Sequence, residues 1–527
     1  MKKPMIYSAT LLLGVCLLPA LSLPTFAQSR ISRPVVIPEV KHDVSPPLRD
    51  LVSRESPVTK NRIALLNPTR IVPLAPGSVA QSADSLVSSP LKVQVATTNI
   101  LNFDGVNASG FAPPDTNGSV GSTQYVETVN LRYAVYDKTT GAVILGPVAM
   151  NTIWNGFGGS CAAANQQSDP IVLWDKQAQR WLITILAYNS SFTQFLQCFA
   201  VSKTADATGS YNRYSFSFGN NLNDFPKFGV WPDAYYGSYD IFPGAAFYSG
   251  TEACAYDRAA MLSGGTAISV CFNQTINDFA LLPSDLDGNT PPPTGEPNLY
   301  VEHKDTASIN LFKFHVDFVN TQNSTFTGPT VIPVTPWTQI CPSGTRACIP
   351  QPSPGEKVDA LGDRLNYRNA YRNFGDHETL VLTHTVDKGQ GVAGVRWYEI
   401  RNPNGTPTVF QSGTVAAGPN LWMPSIAMDK LGDIAVGFNA SSASIKPSVI
   451  YTGRVPTDTL GRMEAPNKSF IGTGVQTSTS NRWGDYSSMS VDPADDCTMW
   501  SSQEYVKTTG SFNWNTRIVK FKFNACN

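Results

Sequence analysis

The sequence predicts an all-β protein, and within that class a disulfide-stabilised β-propeller with seven blades as the favoured count. Three observations lead there. Short apolar or alternating segments rich in Val, Ile, Tyr, Phe and Trp recur along the chain, divided by Gly, Pro, Asn and Asp turns. Long helical periodicity is absent, which sets α/β folds aside. The 40 glycines and 39 prolines are spread evenly, the punctuation of many short strands rather than of disorder.

The chain opens with an export signal. Lys2 and Lys3 precede an apolar run from Leu11 to Leu21, and Thr25-Phe26-Ala27 offers small residues for cleavage after Ala27. Residues 1–27 are therefore read as a signal peptide; Val15 before Cys16 is too large for a lipidation site. Eight cysteines follow, an even number suited to an oxidising compartment. Their order suggests the local pairs Cys161–Cys198, Cys254–Cys271, Cys341–Cys348 and Cys497–Cys526, among the 105 connectivities that eight cysteines allow. Residues 28–95 are rich in Pro, Ser and Val and read as an extended arm or linker. Residues 96–527 are the propeller domain. No later apolar run is long enough to span a membrane. The formal net charge of -1 and the lack of a basic face exclude a nucleic-acid partner held through phosphates.

Seven strand-turn-strand units follow: Gln124 to Leu145; Asp169 to Leu186; Asp233 to Asp257; Asn298 to Val316; the stretch from Arg364 to Ile400; Ser425 to Tyr451; and Asp485 to Phe523. About 60 residues per unit leaves room for loops. Radial repetition suits such a chain because it leaves few open sheet edges. Six or eight blades, a pair of β-sandwiches and a β-helix are the alternatives.

Long motifs accompany these units: GFAPPDTNGSVG (110–121), SDPIVLWDKQAQRWL (168–182), FPKFGVWPDAYYGSYDIF (225–242), YRNAYRNFGDHETLVLTHTV (367–386), GVRWYEIR (394–401), SIAMDKLGDIAVGF (425–438) and RWGDYSSMSVDPADDCTMW (482–500). Together they resemble an uncharacterised family of exported bacterial β-propeller proteins with a sialidase-like shape. The resemblance implies fold and export. It assigns no reaction, because fold does not fix function.

The densest chemistry lies from Asp363 to Val386. Arg364, Arg368 and Arg372 recur every fourth residue, and Asp376, His377 and Glu378 follow. The β-rich flanks make this a strand, with the arginines on one face and Tyr367 and Tyr371 on the other. Only 15% of the chain is charged, so such a cluster needs partners. Sialidase-type sites hold a sugar carboxylate with three arginines, whose planar forks match it. Arg364, Arg368, Arg372, Arg396 and Arg482 are candidates for that task, with Tyr367, Tyr371, Tyr505 and Glu504 beside them. The likeness is one of shape, since three of these arginines share a segment and no S-x-D-x-G-x-T-W repeat occurs.

Asp115, Asp169, Asp233 and Asp485 each precede an expected inner strand, where a propeller would gather them at its channel. There they could bind a cation through oxygens or serve as acid and base; each could equally cap its own turn. Trp231 and Trp483, set beside charges, could stack on sugar rings or fill the core. Asp285, Asp287 and Asn289 through Glu296 match a calcium loop only in part, because glycine falls at position 4 and prolines interrupt it. A surface turn fits that segment better, and calcium is the only cofactor these acids suggest. Asp485, Glu504 and His377 are the catalytic candidates. GxSxG, HExxH and phosphate-loop motifs are absent.

The function expected is binding of an extracellular polymer, a glycan, at the mouth of the channel. A glycoside hydrolase or lyase working from that mouth and a protein-interaction platform are the alternatives. One geometric criterion separates them: Arg364, Arg372, Asp376, Arg482 and Asp485 together in a solvent-open pocket mark a ligand site, whereas burial in mutual ion pairs marks structure.

Overall fold

The structure, a computed structural model, describes residues 33–52, 70–80 and 83–526 except 92, 109, 165, 342–344 and 417, together with the backbone of 62–63. The expected signal peptide and Cys16 lie outside the described residues. No helix among those described is long and apolar enough to cross a membrane.

The chain is a β-propeller of four-stranded antiparallel units, and seven can be traced among the described residues. Their innermost strands are Asn117–Val120, Gln167–Asp175, Asn221–Val230, Leu282–Asp287, Asn366–Asn373, Asn420–Met428 and Ser488–Val491, in units 1 to 7. Each inner strand packs against the next, and Ser488–Val491 packs against Asn117–Val120, closing the ring. Units 1 to 6 take their four strands consecutively. Unit 7 takes three from the C-terminal end, and Thr97–Asn107 supplies its outer strand by pairing antiparallel with Trp514–Phe523.

Both faces of a unit are covered by neighbours, so a strand alternates between two interfaces rather than between core and solvent. In Ile434–Ser441, Ile434, Val436 and Phe438 enter the core shared with unit 5, while Ala435 enters the core shared with unit 7. This is why many strands read as continuous apolar runs.

The repeat spacing marked all seven units but not their phase in three. The segments starting at Gln124, Asp233 and Asn298 contain second strands, and the true inner strands precede them. Asn221–Val230 was hidden because its ladder shifts register between Asp224 and Lys227, breaking the alternation.

The four disulfides join Cys161–Cys198, Cys254–Cys271, Cys341–Cys348 and Cys497–Cys526, the local pairing expected. Between residues 33 and 96 the described chain runs along the ring. Val35–Val44 pairs antiparallel with Tyr211–Gly219 of unit 2 and Ile268–Asn273 of unit 3, joining them into one sheet. Arg70 donates to the Asp363 carboxylate through its backbone N–H at 2.9 Å. Asp84 pairs with Arg396 of unit 5, and Leu91 donates to the Met463 carbonyl beside unit 6 at 3.0 Å.

Candidate functional site

A backbone reversal lies just before or within the first half of most inner strands. In six units the residue there has a left-handed φ: Asp115 (50°), Asp169 (56°), Phe225 (52°), Ala280 (52°), Met423 (53°) and Asp485 (62°). Such a conformation costs a non-glycine residue roughly 1–3 kcal/mol and persists only where its surroundings enforce it. The enforcement is visible around Asp115. Its N–H donates to the Gly484 carbonyl at 2.9 Å, and its Oδ2 accepts from Asn130 Nδ2 at 2.8 Å. Asn130 Oδ1 in turn accepts from the Asp169 N–H at 2.9 Å. Units 1, 2 and 7 are thus stitched together at the axis.

The result is a buried group of charges. Asp115, Asp169, Asp224 and Asp485 are all 4% exposed or less, and Lys227 is fully buried among them. The Lys227 ammonium lies 3.4 Å from the Phe225 ring centroid and 4.2 Å from that of Tyr486, and donates to the Pro226 carbonyl at 3.0 Å. Burial lowers its pKa to about 8, against the pull of Asp169, Asp115 and Asp485. Burial first, then the Asp169 and Asp485 charges, pushes Asp115 well above the ordinary carboxyl range. Burial followed by the charges of Asp169 and Asp240 does the same to Asp224. Asp115 Oδ1 and Asp224 Oδ2 meet no hydrogen-bond donor among the described residues. Glu504, raised well above its usual value by burial, accepts from the Gly484 N–H at 2.7 Å. The cationic centre of this cluster is a lysine that the sequence reading passed over. Proline follows the left-handed residue in Asp169-Pro170, Phe225-Pro226 and Met423-Pro424, and Lys227 comes directly after the second of these.

The five residues of the geometric criterion do not share an open pocket. Arg364, Arg372, Arg482 and Asp485 are buried in ion pairs, whereas the Asp376 side chain is 83% exposed. The strand Asn366–Asn373 forms as expected, with Arg364 preceding it. Arg364 holds both oxygens of Asp363, at 2.8 and 3.0 Å. Arg368 binds Asp285 at 2.9 Å and also Asp287. Arg372 grips Asp496 and Arg482 pairs with Asp485. Arg368 and Arg372 therefore rivet neighbouring units together.

Other expected positions also move. Asp285 and Asp287 are not in a surface turn or calcium loop; they lie in Leu282–Asp287, buried and taken up by Arg368, while Asn289 alone is exposed. Asp233 is absent from the axial cluster because it sits in the turn between the first two strands of unit 3; it is exposed and accepts from Tyr236 Oη at 3.1 Å. Trp231 and Trp483 are core residues, 1% and 0% exposed. Their indole N–H groups donate to the Glu296 carbonyl and to Asn439 Oδ1, both at 3.1 Å.

Of the sequence-predicted polar residues, Asp376, His377 and Glu378 gather around an open cleft at the opposite end of an inner strand. Asn373 closes the inner strand of unit 5 and Glu378 opens the second. The loop between them is tight: Phe374 N–H donates to the His377 carbonyl at 2.9 Å, and Gly375 takes a φ of 89° that a side chain would resist. His377 Nδ1 lies 2.7 Å from Asp376 Oδ1, and the His377 ring stacks on Phe374 at 4.8 Å. The hydrogen bond and charge of His377 lower the Asp376 pKa. Tyr371 Oη and Asn404 Nδ2, the latter at 2.8 Å, donate to Glu378. Asn402 and Thr406, from the neighbouring turn, complete an open cleft of about 570 Å³. A second hollow of about 170 Å³, reaching Arg401 and Phe410, shares His377 with it. Arg401 lies over the Phe410 ring, 3.4 Å from its centroid. Asn402 and Thr406 had no sequence signal, being ordinary turn residues.

No family model matches the chain, and no curated protein does. Solved structures are similar at low identity. The WD40 domain of SCAP from fission yeast is 9% identical with a TM-score of 0.34, over 76% of this chain and 82% of that one. An endo-arabinase from Bacteroides thetaiotaomicron is 13% identical with a TM-score of 0.28, over 57% and 93%. An exo-beta-1,3-galactanase from Phanerochaete chrysosporium is 9% identical with a TM-score of 0.30, over 83% and 97%. Superpositions this shallow carry no inference about substrate or reaction.

Proposed function

We propose that this chain is an exported β-propeller that binds an extracellular glycan in the groove beside His377. The supporting observation is the pair of hollows, of about 570 and 170 Å³, that have His377 as a common wall residue. Its lining offers what sugar rings need. Asn373, Asn402, Thr406, Asp376 and Glu378 supply donors and acceptors for hydroxyls, and Phe374, Phe410 and the His377 ring supply apolar faces. Two lobes suit a polymer spanning more than one sugar unit. Four disulfides support export, since such bonds persist in oxidising compartments.

A glycan-array screen followed by titration calorimetry tests this reading. His377→Ala and Asn402→Ala should each weaken binding of the selected glycan by roughly tenfold, as expected from losing one or two hydrogen bonds or a stacking face. Glycan binding unaffected by both changes, or no glycan bound at all, overturns it.

A glycoside hydrolase is the alternative reading; its candidate carboxylates, Asp485 and Glu504, lie buried at the axis, where burial raises Glu504 well above its usual value. Release of reducing sugar, lost in Asp485→Asn and Glu504→Gln variants that retain the fold, would favour it over binding alone.

A further inference from the structure

Unit 6 carries a second cavity, about 490 Å³ in volume, whose chemistry differs from that of the His377 groove. Its floor is one face of the sheet. Phe438 stands opposite Ile450, and Leu421 opposite Ala440, in the strand register, and all four are 6% exposed or less. Alternating positions share a sheet face, so Phe438 and Ala440 line the same wall. Two larger apolar side chains flank the opening: Ile445 is 38% exposed and Ile471 is 52% exposed. Lys446 and Lys468 are the charged residues of the lining; both are exposed and both are positive. Lys446 Nζ donates to the Thr473 carbonyl at 2.6 Å, which holds its ammonium at the rim.

A pocket of a few hundred Å³ with a mostly apolar wall and one or two charged groups fixes a ligand by burying its body and anchoring its head. Here the anchors are cationic and the body must be aliphatic or similarly apolar. We propose that this cavity binds a long-chain fatty acid. The alkyl chain would lie between Ile445 and Ile471, over the floor that Leu421, Phe438 and Ile450 close from below, and the carboxylate would meet Lys446 and Lys468. The two lysines complement the acid's charge, and an open cavity admits a free monomer from solution. This inference does not rest on the glycan reading; it concerns different residues.

The test is titration calorimetry of the purified full chain with decanoate, dodecanoate and tetradecanoate below their micellar concentrations. Dodecyltrimethylammonium, with the same tail and the opposite charge, is the control. One site per chain is expected, with affinity rising roughly fourfold per added methylene until the cavity is filled. The Lys446→Glu/Lys468→Glu double variant should bind dodecanoate at least tenfold more weakly. Ile471→Asp, at an exposed position that does not hold the fold, should do the same. Equal affinity for dodecanoate and dodecyltrimethylammonium overturns the proposal, as does undiminished binding by both variants. Binding to phosphatidylglycerol vesicles without binding to monomeric dodecanoate also overturns it, because the surface would then read a membrane rather than a free acid.

Discussion

Arg372 holds both oxygens of Asp496, at 2.8 and 2.6 Å, while its Nε donates to the Met428 carbonyl at 2.9 Å. One side chain thereby joins units 5, 6 and 7. Arg372→Ala leaves Asp496 with a buried and uncompensated charge. A loss of about 3–5 kcal/mol is expected, read by denaturant unfolding. Adding Asp496→Leu should restore part of that loss. A single variant as stable as the parent would remove the rivet role.

The axial cluster makes unequal demands on its members. Burial and the charges of Asp169 and Asp485 favour the neutral form of the Asp115 carboxyl, which Asp115→Asn mimics. A stability change within about 1 kcal/mol is expected. Lys227→Met strips the ammonium from among Asp169, Asp115 and Asp485, and should cost several times more, about 3 kcal/mol. Equal effects from the two changes would contradict the assignment of Lys227 as the balancing charge.

Glu302 is buried, with oxygens accepting from the Phe279 N–H at 2.6 Å and Asn310 Nδ2 at 2.8 Å. Burial raises its pKa from 4.5 to about 8. The folded state therefore keeps a proton that the unfolded chain releases. The resulting stability is complete below pH 4.5 and is lost as pH rises towards 8, on the order of 1.4 kcal/mol per unit. His303 works the other way. Burial drops its pKa from 6.5 to about 3, so its contribution is complete above pH 6.5 and is lost as pH falls. Because the two oppose each other, the wild-type profile alone does not isolate either. Comparing unfolding midpoints of wild type and Glu302→Gln at pH 5, 7 and 9 does: the variant should fall less steeply. Parallel profiles would discard the attribution to Glu302.

Val35–Val44 covers the outer edges of units 2 and 3, and Arg213 binds Asp43 with two nitrogens at 2.7 Å. Deleting residues 33–45 exposes both edges, and unpaired edges seek new partners. Light scattering should report concentration-dependent association of the truncated chain. A monomeric, equally stable product would mean that the edges are protected by other means.

Much of the fold was legible because turns and β-rich runs are local signals. The phase of three units was not, because a left-handed residue and a register shift hide inner strands such as Asn221–Val230. The functional reading of the arginines failed for a related reason. For two of them the partners are remote in sequence: Asp285 lies 83 residues from Arg368, and Asp496 lies 124 residues from Arg372. A periodic stripe of charge looks unsatisfied until the fold supplies its partners. Asp376 and His377 stood out by local charge density and do face solvent, whereas Asn402 and Thr406 became visible only when two turns converged.

The pairing of Thr97–Asn107 with Trp514–Phe523 sets a timetable for the molecule. The circle cannot lock until Trp514–Phe523 has emerged, since Thr97–Asn107 must wait for a strand made long after it.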